Sequence, residues 1–166
     1  MPPTPRLTLR AKSLEATHAI AAALAALCRS GDMILLAGEM GAGKTAFAQG
    51  FGRALGVTEP ITSPTFTLVH SYDTGSVTLH HADLYRLDQL VEVTELGLGE
   101  LAEYHGVVLV EWGDVVESTF GEHLVVRLDL VADDVEARLV TITAVGPTWA
   151  RRWPALSDAT AELADT

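Results

Sequence analysis

The stretch MILLAGEMGAGKT, residues 33–45, decides the fold. Its first five residues are a continuous apolar run, the pattern of a short strand covered on both faces. Its last eight, Gly38 to Thr45, read Gly-x-x-x-x-Gly-Lys-Thr, a phosphate-binding loop between a strand and a helix. In such a loop the backbone N–H groups of Glu39, Met40, Gly41, Ala42 and Gly43 converge on phosphate oxygens. The helix opening at Lys44 adds its positive N-terminal end. Lys44 is placed to bridge β- and γ-phosphates, and the Thr45 hydroxyl to ligate magnesium.

Working outward, residues 14–29 have the period of a helix, with Ile20, Leu24, Leu27 and Cys28 on one face and Ser13 as its cap. Before it, residues 1–12 carry three prolines and lead into an edge segment. After the loop, Phe47, Phe51 and Leu55 mark a helix over 44–55, which Gly56 ends. FTLVHSY and VTLHHAD, separated by DTGS, form a hairpin. Residues 88–105 read as two short helices, and VVLVEW (107–112) as a second buried strand. A helical crossover between 77–83 and 107–112 makes those strands parallel. HLVVRLDLV and ARLVTITAV close the chain as a second hairpin around an acidic turn at 132–136. Leu124, Val126, Leu128 and Leu130 form the inward face of its first strand. The expected fold is α/β: a P-loop NTPase-like mixed sheet, parallel at its centre with antiparallel strands added, flanked by helices. Residues 1–150 make one domain. GPTWARRWP is expected as a short helix and the acidic end after Leu156 as a mobile tail, with residues 151–166 set apart from the domain.

Two carboxylates join the loop. Glu111 follows four apolar residues, at the carboxyl end of a central strand, where open α/β sheets bind ligands. It occupies the Walker B position, as Glu rather than Asp, to hold magnesium or polarise the attacking water. Asp83 ends the strand VTLHHAD and reaches the same edge if that strand runs parallel to 33–37; as a bland alternative it caps the following turn. His80 and His81 point to opposite faces of a strand and read as structural. Thr65 and Ser63, in the proline-stiffened segment TSPTFTLV, stand where a switch would sense a γ-phosphate. Trp149, Arg151, Arg152 and Trp153 could pack on the nucleotide or a partner; the bland reading, which is favoured, is a surface helix anchored by two tryptophans.

Composition narrows the ligand and the partners. The formal net charge of −11 disfavours broad, direct binding to nucleic acid. The sequence has no asparagine, and Lys12 and Lys44 are its only lysines, so the Asn-Lys-x-Asp signature that reads guanine is impossible. ATP is the expected nucleotide. No arginine or lysine follows Glu111 within GDVVESTFGE, so the lid of a small-metabolite kinase is not visible, and that activity is the alternative reading. A nucleotide-gated binding module with negligible hydrolysis is a third. Cys28 is the single cysteine. No apolar run reaches the roughly 20 residues of a membrane span, and no secretory h-region opens the chain. A cytoplasmic location is the default.

GEMGAGKT, SPTFTLV, HADLYRL and LVEWGD, in this order and at these separations, resemble the bacterial TsaE family, formerly called YjeE. The resemblance spans about residues 13 to 145. It implies slow hydrolysis of ATP with magnesium in the pathway to threonylcarbamoyl-adenosine in tRNA. The family works with the TsaB–TsaD pair, which performs the transfer from threonylcarbamoyl-adenylate made by TsaC, and hydrolysis is thought to reset that pair between rounds. On this resemblance, tRNA is met only through the partner. Thr45 and Glu111 are the metal residues, and Lys44, Asp83 and Glu111 the catalytic set. Ser63, Pro64 and Thr65 look like the switch, Trp112 and Asp114 enter the nucleotide edge, and the segment from Ser13 to Thr17 approaches the adenine.

Overall fold

The computed structural model describes residues 5–39, 41–62, 69–83, 100–101, 105–111 and 121–164. Among these, seven strands form one sheet: β1 (Arg6–Ala11), β2 (Met33–Ala37), β3 (Val69–Asp73), β4 (Thr78–Asp83), β5 (Gly106–Glu111), β6 (His123–Val131) and β7 (Asp134–Val145). Their order is β1-β7-β6-β2-β5-β4-β3. The centre is parallel, with β6, β2, β5 and β4 running the same way. β7, β1 and β3 add antiparallel edges. This is the mixed sheet the sequence implies, and the parallel β4–β5 pair is the one the crossover argument predicts. The predicted helices of 88–105 fall largely outside the described residues.

Three α-helices are described: α1 (Leu14–Leu27), α2 (Lys44–Leu55) and α3 (Trp153–Ala164). They lie on one face of the sheet, α1 packed between α2 and α3. Ile34, Leu36, Leu109, Leu124, Val126, Leu128, Val140 and Ile142 point to that face and join Ile20, Leu24, Phe47 and Phe51 in one core. All five residues of β2 are buried, so its other face is covered as well. Helix α1 starts where the Ser13 side chain accepts the Ala16 N–H at 3.1 Å. It stops at Leu27, two residues short of the expected end, because Cys28 turns extended and the Arg29 N–H bonds the Asp32 carboxylate at 2.6 Å. The α1–α2 crossing is close: a side chain at Gly50 would lie 2.8 Å from the His18 backbone.

Three further expectations are corrected. Leu130 was placed on the inward face but is 50 % exposed. β2 pairs with β6 only as far as Arg127, and the β6–β7 register shifts between Leu130 and Val131, so Leu130 has run past the covered part of the sheet. The acidic turn is shorter than 132–136, because Asp134, Val135 and Glu136 already belong to β7. The region after Leu156 was expected to trail off as a tail, yet α3 continues to Ala164. It docks on α1 and β1 through Leu156 and Thr160, both fully buried. Residues 147–149 make one 3₁₀ turn before it.

A buried ion pair holds this end down. Arg152 donates to both oxygens of Asp32, at 2.6 and 2.9 Å, and to Leu27 O at 2.9 Å. Its guanidinium lies 3.8 Å over the Trp149 ring. Trp149 is therefore an internal anchor, as the bland reading had it, and Arg152 is an internal residue, which that reading did not foresee.

Candidate functional site

β2 delivers the chain into a glycine-rich loop at the carboxyl edge of the parallel strands. Two glycines are required there. A Cβ on Gly38 would sit 2.4 Å from Leu128 O of β6, and Gly38 has φ +147. Gly43 has φ +103 and caps α2 in a left-handed conformation that side chains resist. Within the loop the Ala42 N–H bonds Glu39 O at 3.0 Å. Lys44, almost fully buried, reaches back to donate to Gly38 O at 2.7 Å, which holds the ammonium across the loop. Thr45 is half-buried in the first turn of α2, and Glu39 and Gly41 are exposed.

The two predicted carboxylates arrive at the same edge. Leu36, Glu111 and Asp83 stand in register across β2, β5 and β4. Leu36 and Leu109 point to the helix-covered face, and strand alternation puts Glu111 and Asp83 on that face too. Glu111 is 4 % exposed and Asp83 half-buried. Lys44, Thr45, Asp83 and Glu111 are thus brought to one edge of the sheet. Met40, Thr65 and Asp114, with Ser63, Pro64 and Trp112, lie outside the described residues. The connector that leads to Ser63 is anchored: Gln49 donates to Ile61 O at 3.1 Å, and Ile61 packs on Gly52.

Sequence reasoning did not foresee two contacts here. Arg138 of β7 donates through Nε to Ala42 O at 2.9 Å and through a terminal nitrogen to Gly41 O at 3.5 Å. It braces the loop from the antiparallel side of the sheet. His81 was read as structural, but its Nε2 lies 3.5 Å from Glu111 Oε2. The signal was available, since His81 and Asp83 are two apart on one strand and share a face. Its neighbour His80 points the other way and pairs with Ser71 Oγ at 2.8 Å; burial lowers its pKa.

A cavity of about 440 Å³ opens beside the loop, between Ser13, Leu14 and Thr17 of the α1 start and Val135 and Arg138 of β7, with Gly43 on its wall. Leu14 and Val135 are 53 % and 88 % exposed, an apolar rim facing solvent. A second hollow of about 380 Å³, near Gln49, Arg53 and Thr58, lies at the far end of α2, away from this edge.

The donor set suits a hard cation. Among the described residues no three His, Cys, Asp or Glu side chains form a closed metal cage. Magnesium does not need one: it keeps several waters and takes one or two carboxylates with phosphate oxygens. One hydroxyl, Thr45, and one or two carboxylates at the mouth of the glycine-rich loop meet that requirement.

Comparison with known proteins identifies the family. The family model described as "Threonylcarbamoyl adenosine biosynthesis protein TsaE" matches residues 11–140. The chain belongs to the TsaE family. A Bacillus subtilis relative called tRNA threonylcarbamoyladenosine biosynthesis protein TsaE is 41 % identical over 142 residues, covering 85 % of this chain and 87 % of the relative. A Streptomyces coelicolor protein of the same name is 41 % identical over 133 residues, covering 76 % and 89 %. Among solved structures, the crystal structure of Bacillus subtilis YdiB superposes with a TM-score of 0.74 at 35 % identity, covering 98 % of each chain. That superposition bears out the mixed sheet described above. No helix among the described residues is long and apolar enough to cross a membrane.

Proposed function

We propose that this chain is a magnesium-dependent ATPase that serves the formation of threonylcarbamoyl-adenosine in tRNA by acting on, and resetting, a TsaB–TsaD pair. The observation that carries the reading is the register of Leu36, Glu111 and Asp83, which sets two carboxylates beside the loop that follows β2. The names of the relatives supply the pathway. The charge of −11 supports a role in which the partner, not this chain, handles tRNA. The setting is the cytoplasm.

The loop binds the phosphates through its backbone N–H groups and the N-terminus of α2. Lys44 leaves Gly38 O to neutralise the β- and γ-phosphates. Thr45 and Glu111 would hold magnesium, which when bound would offset the charge that develops on the phosphates. Asp83 would sit near it, and Glu111 would also orient the attacking water. The base lies in the cavity between Leu14 and Val135, whose apolar rims suit the faces of a purine. Hydrolysis is taken as slow on the family resemblance alone.

The test is ATP turnover with and without TsaB–TsaD, measured together with modified tRNA over several rounds. The expected result is free phosphate and repeated rounds that stop in Lys44→Ala. Intact multi-round modification by Lys44→Ala refutes the proposal, and label recovered in a phosphorylated metabolite replaces it with the kinase reading.

A further inference from the structure

We propose that His81 is a positioning residue for Glu111, one that fixes which carboxylate oxygen faces the metal. The inference rests on the magnesium–ATP reading above. His81 is 0 % exposed, and neither ring nitrogen has a hydrogen-bond partner among the described residues. A buried, unsatisfied imidazole costs free energy that an aliphatic side chain of similar size would avoid. The acceptor within reach is Glu111 Oε2, 3.5 Å from Nε2 and itself nearly out of solvent. A small rotation of the carboxylate closes that gap to a hydrogen bond, with the Nε2–H as the donor.

The direction of approach matters. His81 and Glu111 sit on adjacent parallel strands, His81 one step back from the edge, level with Leu109. It therefore takes the oxygen on the protein side and leaves the other turned toward the loop. Carboxylates that hold metals are commonly fixed in this way by a group behind them, and losing that group costs 10–100-fold in metal affinity or activity. His80, one residue away, supplies an internal contrast. It faces the opposite side and bonds Ser71.

The experiment compares His81→Leu with His81→Gln, whose amide nitrogen falls near the position of Nε2. Each is made in the wild type and in Glu111→Gln. ATP binding is titrated with and without magnesium, and ring-nitrogen NMR reads the His81 tautomer. In His81→Leu the magnesium needed for half-maximal ATP binding should rise about tenfold, with metal-free binding unchanged, and His81→Gln should recover most of the loss. In Glu111→Gln the His81→Leu change should add less than about twofold, as expected when one residue acts through the other. The wild-type ring should carry its proton on Nε2, and Glu111→Leu should shift its nitrogen resonances. Wild-type magnesium titrations in His81→Leu, or independent and additive effects of the two substitutions, overturn the inference. So does equal loss of metal-free binding in His81→Leu and His81→Gln, which marks a packing role. If Glu111→Gln itself matches the wild type, the parent reading fails. If Glu111→Gln is impaired and His81→Leu is not, only the positioning role fails.

Discussion

Removing Arg152 should destabilise the fold strongly while leaving nucleotide affinity untouched. The guanidinium is 6 % exposed and the Asp32 residue 4 %, so both charges are out of water. Arg152→Ala deletes two bonds to Asp32 and one to Leu27 O and unstacks Trp149. Asp32 keeps the Arg29 N–H, but its charge loses its counterion. Breaking one side of a buried pair costs about 3–5 kcal/mol. The Arg29 bond and water entering the gap offset part of this, so about 3–4 kcal/mol is expected. A domain of this size has about 5–15 kcal/mol in total. With a urea slope near 2 kcal/mol/M, the midpoint should fall by about 1.5–2 M. Urea unfolding followed by tryptophan fluorescence and circular dichroism measures it. The double variant Asp32→Leu/Arg152→Met should be less destabilised than Arg152→Ala, since no unpaired charge remains. ATP affinity of the folded variants should match the wild type, because the pair closes the start of β2 and the loop opens from its end. A midpoint shift below about 0.5 M, or a double variant no better than the single, refutes the reasoning.

Other substitutions test the nucleotide edge and the buried histidines. Gly38→Ala puts a methyl group 2.4 Å from Leu128 O, so the loop must move; calorimetry should show ATP affinity down at least about tenfold, with about 1–3 kcal/mol lost in urea. Arg138→Ala removes the bond to Ala42 O, a charge-assisted contact of about 1.5 kcal/mol or more, and should weaken ATP binding by roughly tenfold. Arg138→Lys should not restore it, for lack of the planar fork. His18 and His80 titrate below the ordinary histidine value in the fold, with burial the first cause for each and Arg53 the second for His18. Their neutral forms contribute full stability above about pH 6.5. As pH falls below that, the unfolded chain binds protons first and stability declines. His80→Gln should flatten the loss between pH 7 and 5 in urea titrations, and an unchanged slope rejects the assignment.

Much of the fold was legible because its signals are local. MILLA, the two hairpins and the crossover each carry their own pattern, and together they set the parallel centre. The glycine-rich loop, Glu111 and Asp83 are equally local, since each is a residue type at the end of an apolar run. What failed depends on distant partners. Alternation alone put Leu130 inside, but coverage ends where β2 stops pairing, near Arg127. Helix α3 is alanine-rich and polar, with little apolar stripe to read, and its anchor joins residues 120 apart. Arg138 meets Ala42 across 96 residues. The closeness of His81 to Glu111 went unread for another reason: the pair His80–His81 was weighed together, although the strand sends the two rings to different neighbours.

The placement of β2 at the middle of the sheet also bears on how the chain is made. Its partners β5 and β6 begin about 70 and 85 residues after it ends. At roughly 5–20 residues per second, the interval from the end of β2 to the start of β5 takes about 3–14 s to synthesise. Until then the five apolar residues lack both of their parallel partners, and among the described elements α1 and α2, which pack on each other, are made and can shelter them. Parallel pairings between distant segments form late and leave sticky strands exposed. The strand that carries the glycine-rich loop is thus also where a nascent chain is most open to aggregation or to a chaperone.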